Sequence, residues 1–374
     1  MKIAIDIREA GKGKAGKGWY TFNLVEEIIA QGKEDEFILY TQGDEKSATF
    51  FEKHKNCQIK VVSSTGLKWH LEVLKDLKKL NPDLFFAPTS YIIPALAPKR
   101  LKTVITIHDL VAYLFPKSHA LKATLIERIT LHRALKKASA IFVVSENTKK
   151  DLLKRFRYPE TKIYLTYCAA ASAYSQKQTP DQLEETRKKL ELPSNFVLAV
   201  GTLEPRKNFA TLIKSFVIIK RKNPDYKLVI VGKKGWNWGE IDQAVKEYGL
   251  EGEVIFTGYL EDSELHRVYG LAKVFVFPSI YEGFGIPPIE AMASGCPVVS
   301  SNAASLPEVV GESGLLVDPH NALKIADAVC SLISNDSLRN MFIERGYEQS
   351  KKFNWKKSAE TALEVFHKIK YPQP

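Results

Sequence analysis

Short apolar runs alternate with helical patterns along almost the whole chain, and this alternation constrains the fold more than any other feature. The runs at 229–231 and 274–277 are continuously apolar, which is typical of parallel strands buried on both faces. Between such runs lie amphipathic segments, for example residues 20–31, that would cover the faces of a sheet. The sequence therefore predicts an α/β fold with two Rossmann-like, doubly wound domains.

The individual elements follow from these patterns. The predicted strands share an apolar run and span 2–7, 37–40, 58–62, 84–87, 103–107, 140–144, 196–200, 227–231, 254–257, 274–278 and 297–300. The predicted helices share apolar residues at helical spacing and span 20–31, 67–80, 121–135, 147–156, 208–220, 241–248, 262–272, 289–294 and 322–334. Ser145 is the predicted N-cap of the helix at 147–156.

Residues 169–193 interrupt the pattern, because they are rich in Gln, Ser, Lys and Glu and contain Pro180 and Pro193. We predict a linker there, an N-terminal domain at 1–172, a second domain at 173–354 and a final segment at 355–374. In doubly wound folds, ligands bind beyond the carboxyl ends of the strands. A cleft between the two domains is therefore the expected ligand site.

The charge of the chain is unevenly distributed. The 374 residues are 45% hydrophobic and 26% charged, which excludes a disordered chain, and the formal net charge is +11. Residues 1–180 hold 30 Lys and Arg against 18 Asp and Glu, whereas the remaining residues hold 24 against 25. The positive charge therefore belongs to the first half, which favours an anionic partner for that half alone.

Cysteine spacing and hydropathy argue against a zinc protein, a secreted protein and a membrane-spanning protein. The four cysteines are scattered, and no two have the C-x₂₋₄-C spacing of a zinc site, so we expect free thiols in a reducing compartment. Asp6 and Arg8 interrupt the first apolar run too early for a signal peptide. No stretch approaches about 18 consecutive apolar residues. We expect a cytoplasmic protein, with the inner face of the cell membrane as a site of peripheral attachment.

A glycine-rich segment at 11–18 fits the first part of the phosphate-binding G-x-x-x-x-G-K-[ST] motif. It fails at Gly18, where the hydroxyl residue that ligates Mg²⁺ should stand, so a P-loop-like NTPase is a low-ranked alternative. Glycines before a helix still allow backbone N–H groups to approach an anionic ligand. The other interpretation is a solvated Lys/Gly loop.

The strongest chemical signal is the segment 281–295, Tyr-Glu-Gly-Phe-Gly-Ile-Pro-Pro-Ile-Glu-Ala-Met-Ala-Ser-Gly. Pro287 or Pro288 is expected to begin a helix that Gly295 ends. This places Glu290 in the first helical turn, where its carboxylate can accept two hydrogen bonds from a vicinal diol such as a ribose. Glu282 precedes the Gly-Phe-Gly turn and is expected to reach a sugar hydroxyl. Alone, either carboxylate would be read as a solvated or helix-dipole residue.

Two further strand ends carry candidate residues. Arg206 and Lys207 follow the strand at 196–200, and adjacent cations there are well placed to neutralise a diphosphate. His108 and Asp109 follow the strand at 103–107, so His108 is expected to face the cleft, although a lone His is more often structural.

Together, the Glu-x₇-Glu segment, the Gly-Thr-x-x-x-Arg-Lys-Asn loop and the strand-end His-Asp resemble the retaining glycosyltransferases of the glycosyltransferase-4 class. The resemblance extends from Lys2 to Phe366 and is closest over 278–318, with Leu-Pro-Glu at 306–308 and Gly-Leu-Leu-Val-Asp-Pro at 314–319. It implies a GT-B fold, in which the final helix crosses back onto the first domain. The residues of these motifs are most similar to those of mannosyltransferases of polysaccharide assembly.

The resemblance also implies roles for individual residues. Glu290 would hold the donor ribose, Glu282 would contact the donor hexose, and His108 would lie beside the transferred sugar. Arg206 and Lys207 would bind the donor diphosphate and stabilise it as the leaving group. The remaining donor-binding groups would be backbone N–H groups of the loop and helix start, at Gly285 and Ile286, and the closing loop around Gly16. That loop departs from the family's form by carrying Lys12, Lys14 and Lys17.

The expected reaction is the transfer of a hexose, with retention at the anomeric carbon, from a nucleotide-diphosphate sugar to a glycan or lipid-linked acceptor. GDP-mannose is the favoured donor. The sequence has no Asp-x-Asp, so we expect no metal and no cofactor, with the two cations replacing Mg²⁺.

Two other functions and one question about the acceptor remain open beside this interpretation. A nucleotide-sugar epimerase of the same fold would convert the donor without an acceptor. A nucleic-acid-binding protein ranks low, because the second half is neutral and no recognition motif is present, and we expect no nucleic-acid partner. The basic stretches at 69–79 and 121–137 suit an anionic membrane or a lipid-diphosphate acceptor, or they are ordinary helices with solvated faces.

Overall fold

The computed structural model describes residues 1–11, 16–43, 49–115, 121–235 and 238–371. The chain divides into two compact units. Unit 1 consists of Met1–Cys168 together with Asn354–Pro374, and unit 2 consists of Ala169–Phe353. In the described part of the chain, no helix combines the length and the apolar character that a membrane span requires.

Unit 1 contains a parallel sheet that has seven strands within the described residues. The strands are β1 (Lys2–Asp6), β2 (Glu36–Gln42), β3 (Cys57–Val62), β4 (Leu84–Ala87), β5 (Lys102–Ile107), β6 (Ala140–Val143) and β7 (Ile163–Leu165). Their order is β3-β2-β1-β4-β5-β6-β7. The chain first adds strands on one side of β1 and then, from β4 onwards, on the other side, so the topological switch point lies between β1 and β4.

The helices of unit 1 cover this sheet. They are α1 (Gly16–Gln31), α2 (Gly66–Leu80), α3 (Ile92–Leu96), α4 (Val111–Leu114), α5 (Leu121–Leu135), α6 (Glu146–Arg155) and the final helix of the chain, α15 (Trp355–Lys370). Ser145 caps α6 as predicted, since its hydroxyl accepts a hydrogen bond from the N–H of Thr148. The final helix belongs to unit 1, where the buried ring of Phe366 lies 5.5 Å from Phe86 and 5.8 Å from Phe142.

Unit 2 repeats the architecture with a parallel sheet of six strands among the described residues. The strands are β8 (Phe196–Val200), β9 (Lys227–Val231), β10 (Val254–Gly258), β11 (Val274–Phe277), β12 (Val298–Ser301) and β13 (Gly314–Val317), in the order β10-β9-β8-β11-β12-β13. The helices are α7 (Pro180–Lys189), α8 (Phe209–Lys222), α9 (Trp238–Glu247), α10 (Asp262–Leu271), α11 (Ile286–Ala293), α12 (Leu306–Val310), α13 (Ala322–Ser334) and α14 (Asp336–Lys351).

The continuously apolar strands are fully buried, as the sequence predicted. Residues 229–231 of β9 and every residue of β11 are buried, as is every residue of β8, because helices cover both faces of the sheet. The carboxyl ends of the two neighbouring strands β8 and β11 lead directly into the segments that carry Arg206 and Glu282. The fold therefore brings these two distant parts of the sequence to one edge of one sheet.

The predicted linker at 169–193 is wrong in one respect, because it contains a helix. α7 begins at Pro180, and Thr179 and Gln182 form a capping box in which each side chain binds the backbone N–H of the other residue. Pro180 therefore starts a helix instead of interrupting the chain. The sequence patterns also do not predict the short strands β7 and β13, the short helices α3, α4 and α12, or the helix α14.

Candidate active site

A 3₁₀ turn at Pro205–Lys207 presents the two predicted cations at the end of β8. Asn208 ends this turn with a positive φ of 62° and donates from Nδ2 to the carbonyls of Pro278 (3.1 Å) and Pro319 (2.7 Å). The turn is also joined to the neighbouring loop, because the Ile280 N–H donates to the Arg206 carbonyl at 2.9 Å. The backbone that carries Arg206 and Lys207 is therefore fixed from two sides.

Glu282 lies between the two cations. Its Oε1 accepts a hydrogen bond from Lys207 Nζ at 2.6 Å, and its Oε2 lies 2.9 Å from an Nη of Arg206. Oε1 also accepts from the Ser279 hydroxyl at 2.5 Å. An ionised carboxylate offers about four acceptor positions. In the described part of the chain, contacts occupy three of them, which leaves one position for a further hydroxyl.

The charge of Glu282 is secured by its neighbours. Burial alone would raise the pKa of its carboxyl, but the positive charges of Lys207 and Arg206 outweigh burial and lower the pKa to about 2. The carboxylate is therefore ionised at every pH near neutrality. Arg206 has a second carboxylate partner, Glu204, whose Oε1 accepts from an Nη of Arg206 at 2.6 Å. Each cation is thus oriented by charge before any ligand arrives.

The loop that follows Glu282 is held in place by buried serines. The Ser301 hydroxyl donates to the Ser279 carbonyl at 2.6 Å, and the Ser305 hydroxyl lies 2.9 Å from the Glu282 carbonyl and 2.6 Å from that of Phe284. Gly285 has a φ of 111°, which side chains rarely adopt, and an added Cβ would lie 2.6 Å from Leu306. The site thus requires glycine at position 285.

The N-terminus of helix α11 meets this loop without a side-chain cap. It begins at Ile286, one residue before the prolines expected to start it, and no side chain caps it at Gly285. Pro287 and Pro288 have no N–H groups, so the first turn offers its backbone donors only at the Gly285–Ile286 end. The end of the helix follows the prediction, since Gly295 lies just beyond Ala293 with a φ of 76°.

Glu290 is the fifth residue of α11, so it lies in the second turn and not in the first, as the sequence had suggested. Its Oε2 accepts a hydrogen bond from the Tyr269 hydroxyl at 3.1 Å. Burial and the nearby charge of Asp262 raise the pKa of Glu290 to about 8. The two glutamates of the motif therefore differ in charge at neutral pH, because Glu282 is ionised and Glu290 is largely protonated.

His108 lies in unit 1, beyond the end of β5. Its Nε2 donates to the Pro88 carbonyl at 2.8 Å, and its ring packs edge-on against Tyr20 at 4.7 Å. Burial and the positive charge of Lys17 lower the pKa of His108 to about 4. The imidazole is therefore neutral, and because Nε2 carries the proton, Nδ1 is left as a hydrogen-bond acceptor.

Gly16 is the first residue of α1, and it is exposed with open space around it. The first turns of α1 approach His108, as the Tyr20 contact and the effect of Lys17 indicate. The predicted closing loop around Gly16 includes Lys12 and Lys14, which lie outside the described residues.

The structure thus places the predicted residues in two groups. Unit 2 brings together the cations, both glutamates and the helix start: Arg206, Lys207, Glu282, Gly285, Ile286 and Glu290. Unit 1 carries His108 and Gly16. The prediction of a membrane-facing stretch at 69–79 is weakened, because Trp69, Val73 and Leu74 point into the core of unit 1.

The chain is similar to known glycosyltransferases over most of its length. Residues 15–170 match the model of Glycosyltransferase Family 4, and residues 182–349 match that of Glycosyl transferases group 1. The O-antigen chain mannosyltransferase B of Escherichia coli is 32% identical over 300 residues, which cover 80% of this chain and 76% of that protein. The chain belongs to glycosyltransferase family 4.

Further comparisons describe this family 4 glycosyltransferase more closely. The serotype-specific mannosyltransferase WbdA of Escherichia coli is 29% identical over 72% of this chain, which spans about a third of that longer protein. The crystal structure of Anabaena HepE (Alr3699), in complex with UDP and glucose, has a TM-score of 0.81 at 19% identity and covers 98% of this chain and 99% of its own. This glycosyltransferase therefore has the GT-B fold and is a hexosyltransferase related to mannosyltransferases. Nothing in these comparisons supports the epimerase.

Some residues of this family 4 site escaped the sequence analysis: Glu204, Tyr269, Ser279, Ser301 and Ser305. Glu204 lies two residues before Arg206, and an acidic residue at that distance was the available signal. The serines are buried and bind carbonyl groups of the loop 279–285, but single serines in a sequence give no sign of burial.

Proposed function

We propose that this protein is a retaining, metal-independent hexosyltransferase that uses a nucleotide-diphosphate sugar as donor and a glycan or lipid-linked molecule as acceptor. The observation that carries the proposal is the arrangement of Arg206 and Lys207 around the ionised Glu282 at the edge of the unit 2 sheet. In open α/β sheets this edge, beyond the carboxyl ends of the strands, is the usual ligand site.

The departure of the nucleotide requires stabilisation of charge on its terminal phosphate. Arg206 and Lys207 supply two fixed positive charges for this purpose, and preorganised charges of this kind are often the largest catalytic contribution. Because Glu282, Ser279 and Glu204 already orient the cations, little reorganisation is needed when the leaving group becomes charged. Backbone N–H groups at Gly285 and Ile286 provide further donors for the phosphate or sugar.

Glu282 is not suited to be a covalent nucleophile. Its carboxylate is paired with two cations and a hydroxyl, and its pKa of about 2 makes it a weak base. Its remaining acceptor position would bind a hydroxyl of the donor hexose. With no protein nucleophile, retention follows from attack by the acceptor on the same face that the leaving group vacates.

The other predicted residues complete the donor site in this proposal. Glu290 binds the ribose hydroxyls, for which its carboxylate must be ionised. His108 accepts a hydrogen bond from a hydroxyl of the transferred sugar at Nδ1, because its Nε2 is committed to Pro88. The role of Gly16 stays a prediction, because its loop includes residues outside the described ones.

We propose GDP-mannose as the donor, supported by the mannosyltransferase names of the relatives in Escherichia coli. The competing donor is UDP-glucose, since the structurally similar HepE was crystallised with UDP and glucose. A thermal-shift panel of UDP, GDP, ADP and their sugars tests the proposal. The largest stabilisation is expected with GDP and GDP-mannose. A preference for UDP would overturn the donor, and no stabilisation by any nucleotide would overturn the nucleotide-sugar mechanism.

We propose that transfer needs no metal ion, because Arg206 and Lys207 provide the positive charge that Mg²⁺ supplies in other transferases. Transfer in the presence of EDTA should equal transfer in its absence. Loss of activity with EDTA that Mg²⁺ or Mn²⁺ restores would contradict this.

We propose that unit 1 binds the acceptor at the cytoplasmic face of a membrane. The support is the exposed apolar face of α5, formed by Leu125, Ile126 and Ile129, with the exposed Arg133 and Lys136 towards its carboxyl end. Binding to anionic liposomes should be measurable at low salt and should decrease as salt is added. Equal binding to neutral liposomes, or none to either, would remove the membrane from the proposal.

A further inference from the structure

A second arginine, outside the donor site, is held at the edge of the other sheet. Arg8 lies two residues beyond the end of β1, and β1 borders the topological switch point of the unit 1 sheet. Its guanidinium binds the buried carboxylate of Asp6 through two bonds, from Nε to Oδ1 (2.9 Å) and from an Nη to Oδ2 (2.7 Å). Ligands of open α/β sheets bind at such switch points, so this position is exposed to the ligand side of unit 1.

The flat face and a further edge of the Arg8 guanidinium are also fixed. The group lies 3.7 Å from the ring centroid of the fully buried Trp69, and its other Nη lies 3.4 Å from Nε2 of His70. Burial and the charge of Arg8 lower the pKa of His70 to about 4, so His70 is neutral and its Nε2 accepts from Arg8. Three contacts with different parts of the guanidinium therefore leave it one orientation.

This arrangement leaves part of the guanidinium available. A guanidinium has five N–H donors, and the contacts with Asp6 and His70 use three of them. The side chain of Arg8 is 20% exposed, whereas that of Asp6 is 2% exposed. Within the described residues, two N–H groups, one on each terminal nitrogen, are left for a solvent-side ligand, and paired donors of this kind match two oxygens of a phosphate.

The His70 ring shows that the cluster is not optimised for stability alone. When Nε2 accepts from Arg8, Nδ1 carries the proton, and among the described residues this buried Nδ1 has no hydrogen-bond partner. A buried donor without a partner is unfavourable. The ion pair between Asp6 and Arg8 does not itself require this histidine, whose contact adds a third constraint on the direction of the guanidinium.

We propose that Arg8 is an acceptor-binding residue that holds phosphate oxygens of a diphosphate-linked acceptor. The charge distribution supports an acceptor over the donor, because the donor phosphates already have Arg206 and Lys207 in unit 2, and the positive excess lies in the first half. The inference rests on the proposed transferase function, but it concerns a separate residue in a separate unit.

Binding of two synthetic acceptors by titration calorimetry tests the proposal without turnover. The acceptors are hexyl-diphosphate-linked mannose and hexyl mannoside, which differ only in the phosphates. The full-length protein should bind the diphosphate acceptor at least tenfold more tightly than hexyl mannoside. Arg8→Gln should abolish this difference and leave the affinity for hexyl mannoside unchanged. The matched control, Arg157→Gln, removes an exposed arginine of the same unit and should change neither affinity.

Two further variants separate a binding role from a structural one. Arg8→Gln leaves the buried Asp6 carboxylate unpaired, so Asp6→Asn/Arg8→Gln is made as well to remove that charge. The double variant should melt like the parent protein and still lack the preference for the diphosphate acceptor. Lys207→Ala should weaken nucleotide binding and keep the preference, so that failure of the donor site and failure of this inference give different results.

Three outcomes would overturn the inference. The parent protein could bind both acceptors with equal affinity, or the folded double variant could lose affinity for both acceptors equally. The third is that Lys207→Ala, and not Arg8→Gln, loses the preference for the diphosphate acceptor. Competition by inorganic phosphate against the diphosphate acceptor would show that the phosphate group alone is recognised. Its absence, with the preference intact, would assign recognition to the linked diphosphate.

Discussion

Lys207 contributes one of the two positive charges around Glu282, and it lies 5.2 Å above the Phe277 ring, with only 14% of its side chain exposed. Replacing it by alanine removes one charge from a partly dehydrated site. We expect Lys207→Ala to lower the transfer rate about 10²-fold at saturating donor, because one preorganised donor in such sites contributes that much.

The control for this prediction is Lys214→Ala, which removes an exposed lysine of α8 in the same unit. Steady-state kinetics with the nucleotide sugar selected by the thermal-shift panel would measure both variants. A rate for Lys207→Ala within a few-fold of the parent protein would show that the cation is not needed for departure of the nucleotide.

The ribose contact proposed for Glu290 predicts that donor binding depends on pH. Its pKa of about 8 lies above the ordinary range of a glutamate, so the folded protein holds the proton through neutral pH and releases it as the pH rises past about 8. Because the proposed ribose contact uses the ionised form, whose fraction rises from about 1% to about 90% over this range, the affinity for the nucleotide sugar should increase by up to about 10²-fold between about pH 6 and about pH 9. Calorimetric titrations over this range would measure the dependence.

Glu290→Gln removes the titration, so its nucleotide affinity should be weaker and nearly independent of pH. Glu312→Gln, an exposed residue of the same unit, should keep the dependence of the parent protein. An affinity that falls with rising pH in the parent protein would contradict the role given to Glu290.

The sequence alone nominates candidate side chains for the donor site, but it does not show how they pair. Arg206, Lys207 and Glu282 were each selected as ligand-binding residues, yet 75 residues separate Lys207 from Glu282. The ion pairs form because β8 and β11 are neighbours in the sheet, and strand order is not readable from one sequence. The raised pKa of Glu290 also depends on the fold, which buries its carboxyl and brings Asp262 of α10 near.

At the scale of elements, the start of α11 depends on the backbone of Gly285. Alanine at this position would have to adopt a φ of 111°, and its Cβ would meet Leu306 at 2.6 Å. Gly285→Ala should therefore lower the free energy of unfolding by about 1–3 kcal/mol and weaken nucleotide binding, since the loop must move.

Gly239→Ala provides the matched control, because Gly239 lies in the first turn of α9 with nothing near its Cβ position. It should stabilise the protein by up to about 1 kcal/mol, as alanine favours a helix over glycine. Chemical denaturation would measure both variants. Equal stabilities of the two would show that the Gly285 turn is not constrained.

Long elements with strong apolar patterns were predicted within a few residues, whereas mostly charged ones and short ones, including the apolar α3, α4 and α12, were missed. Helix α7 is mostly charged, so its segment was read as a linker, although Thr179 and Gln182 spell a capping box that signals a helix start. Strand β7 has three residues and β13 begins with glycine, and such short segments give no periodicity. Their pairing partners in the sheets hold them in place.

At the scale of the whole molecule, the final helix completes unit 1. Phe366 is fully buried against Phe86 and Phe142, and Ser358 donates to the Tyr167 carbonyl at 2.8 Å. Phe366→Ala should destabilise unit 1 by about 3–5 kcal/mol, as a large buried side chain is lost. Tyr371→Ala, just beyond the helix and 63% exposed, should leave stability nearly unchanged.

Hydrogen exchange followed by mass spectrometry would measure the loss of stability in each unit separately. Protection should fall in residues 1–168 of Phe366→Ala and remain in residues 169–353. Uniform loss over both units would show that they unfold as one body, which would contradict a unit-specific role of the helix.

The same feature has a consequence for synthesis on the ribosome. The first 168 residues are translated early, but they cannot bury the apolar surface that receives Trp355 and Phe366 until the last helix emerges. Unit 2 has its full set of strands before that moment. Unit 2 can therefore finish folding before unit 1, although its synthesis begins later. A chain whose synthesis stops before the final helix would expose an incompletely folded unit 1 to chaperones and proteases.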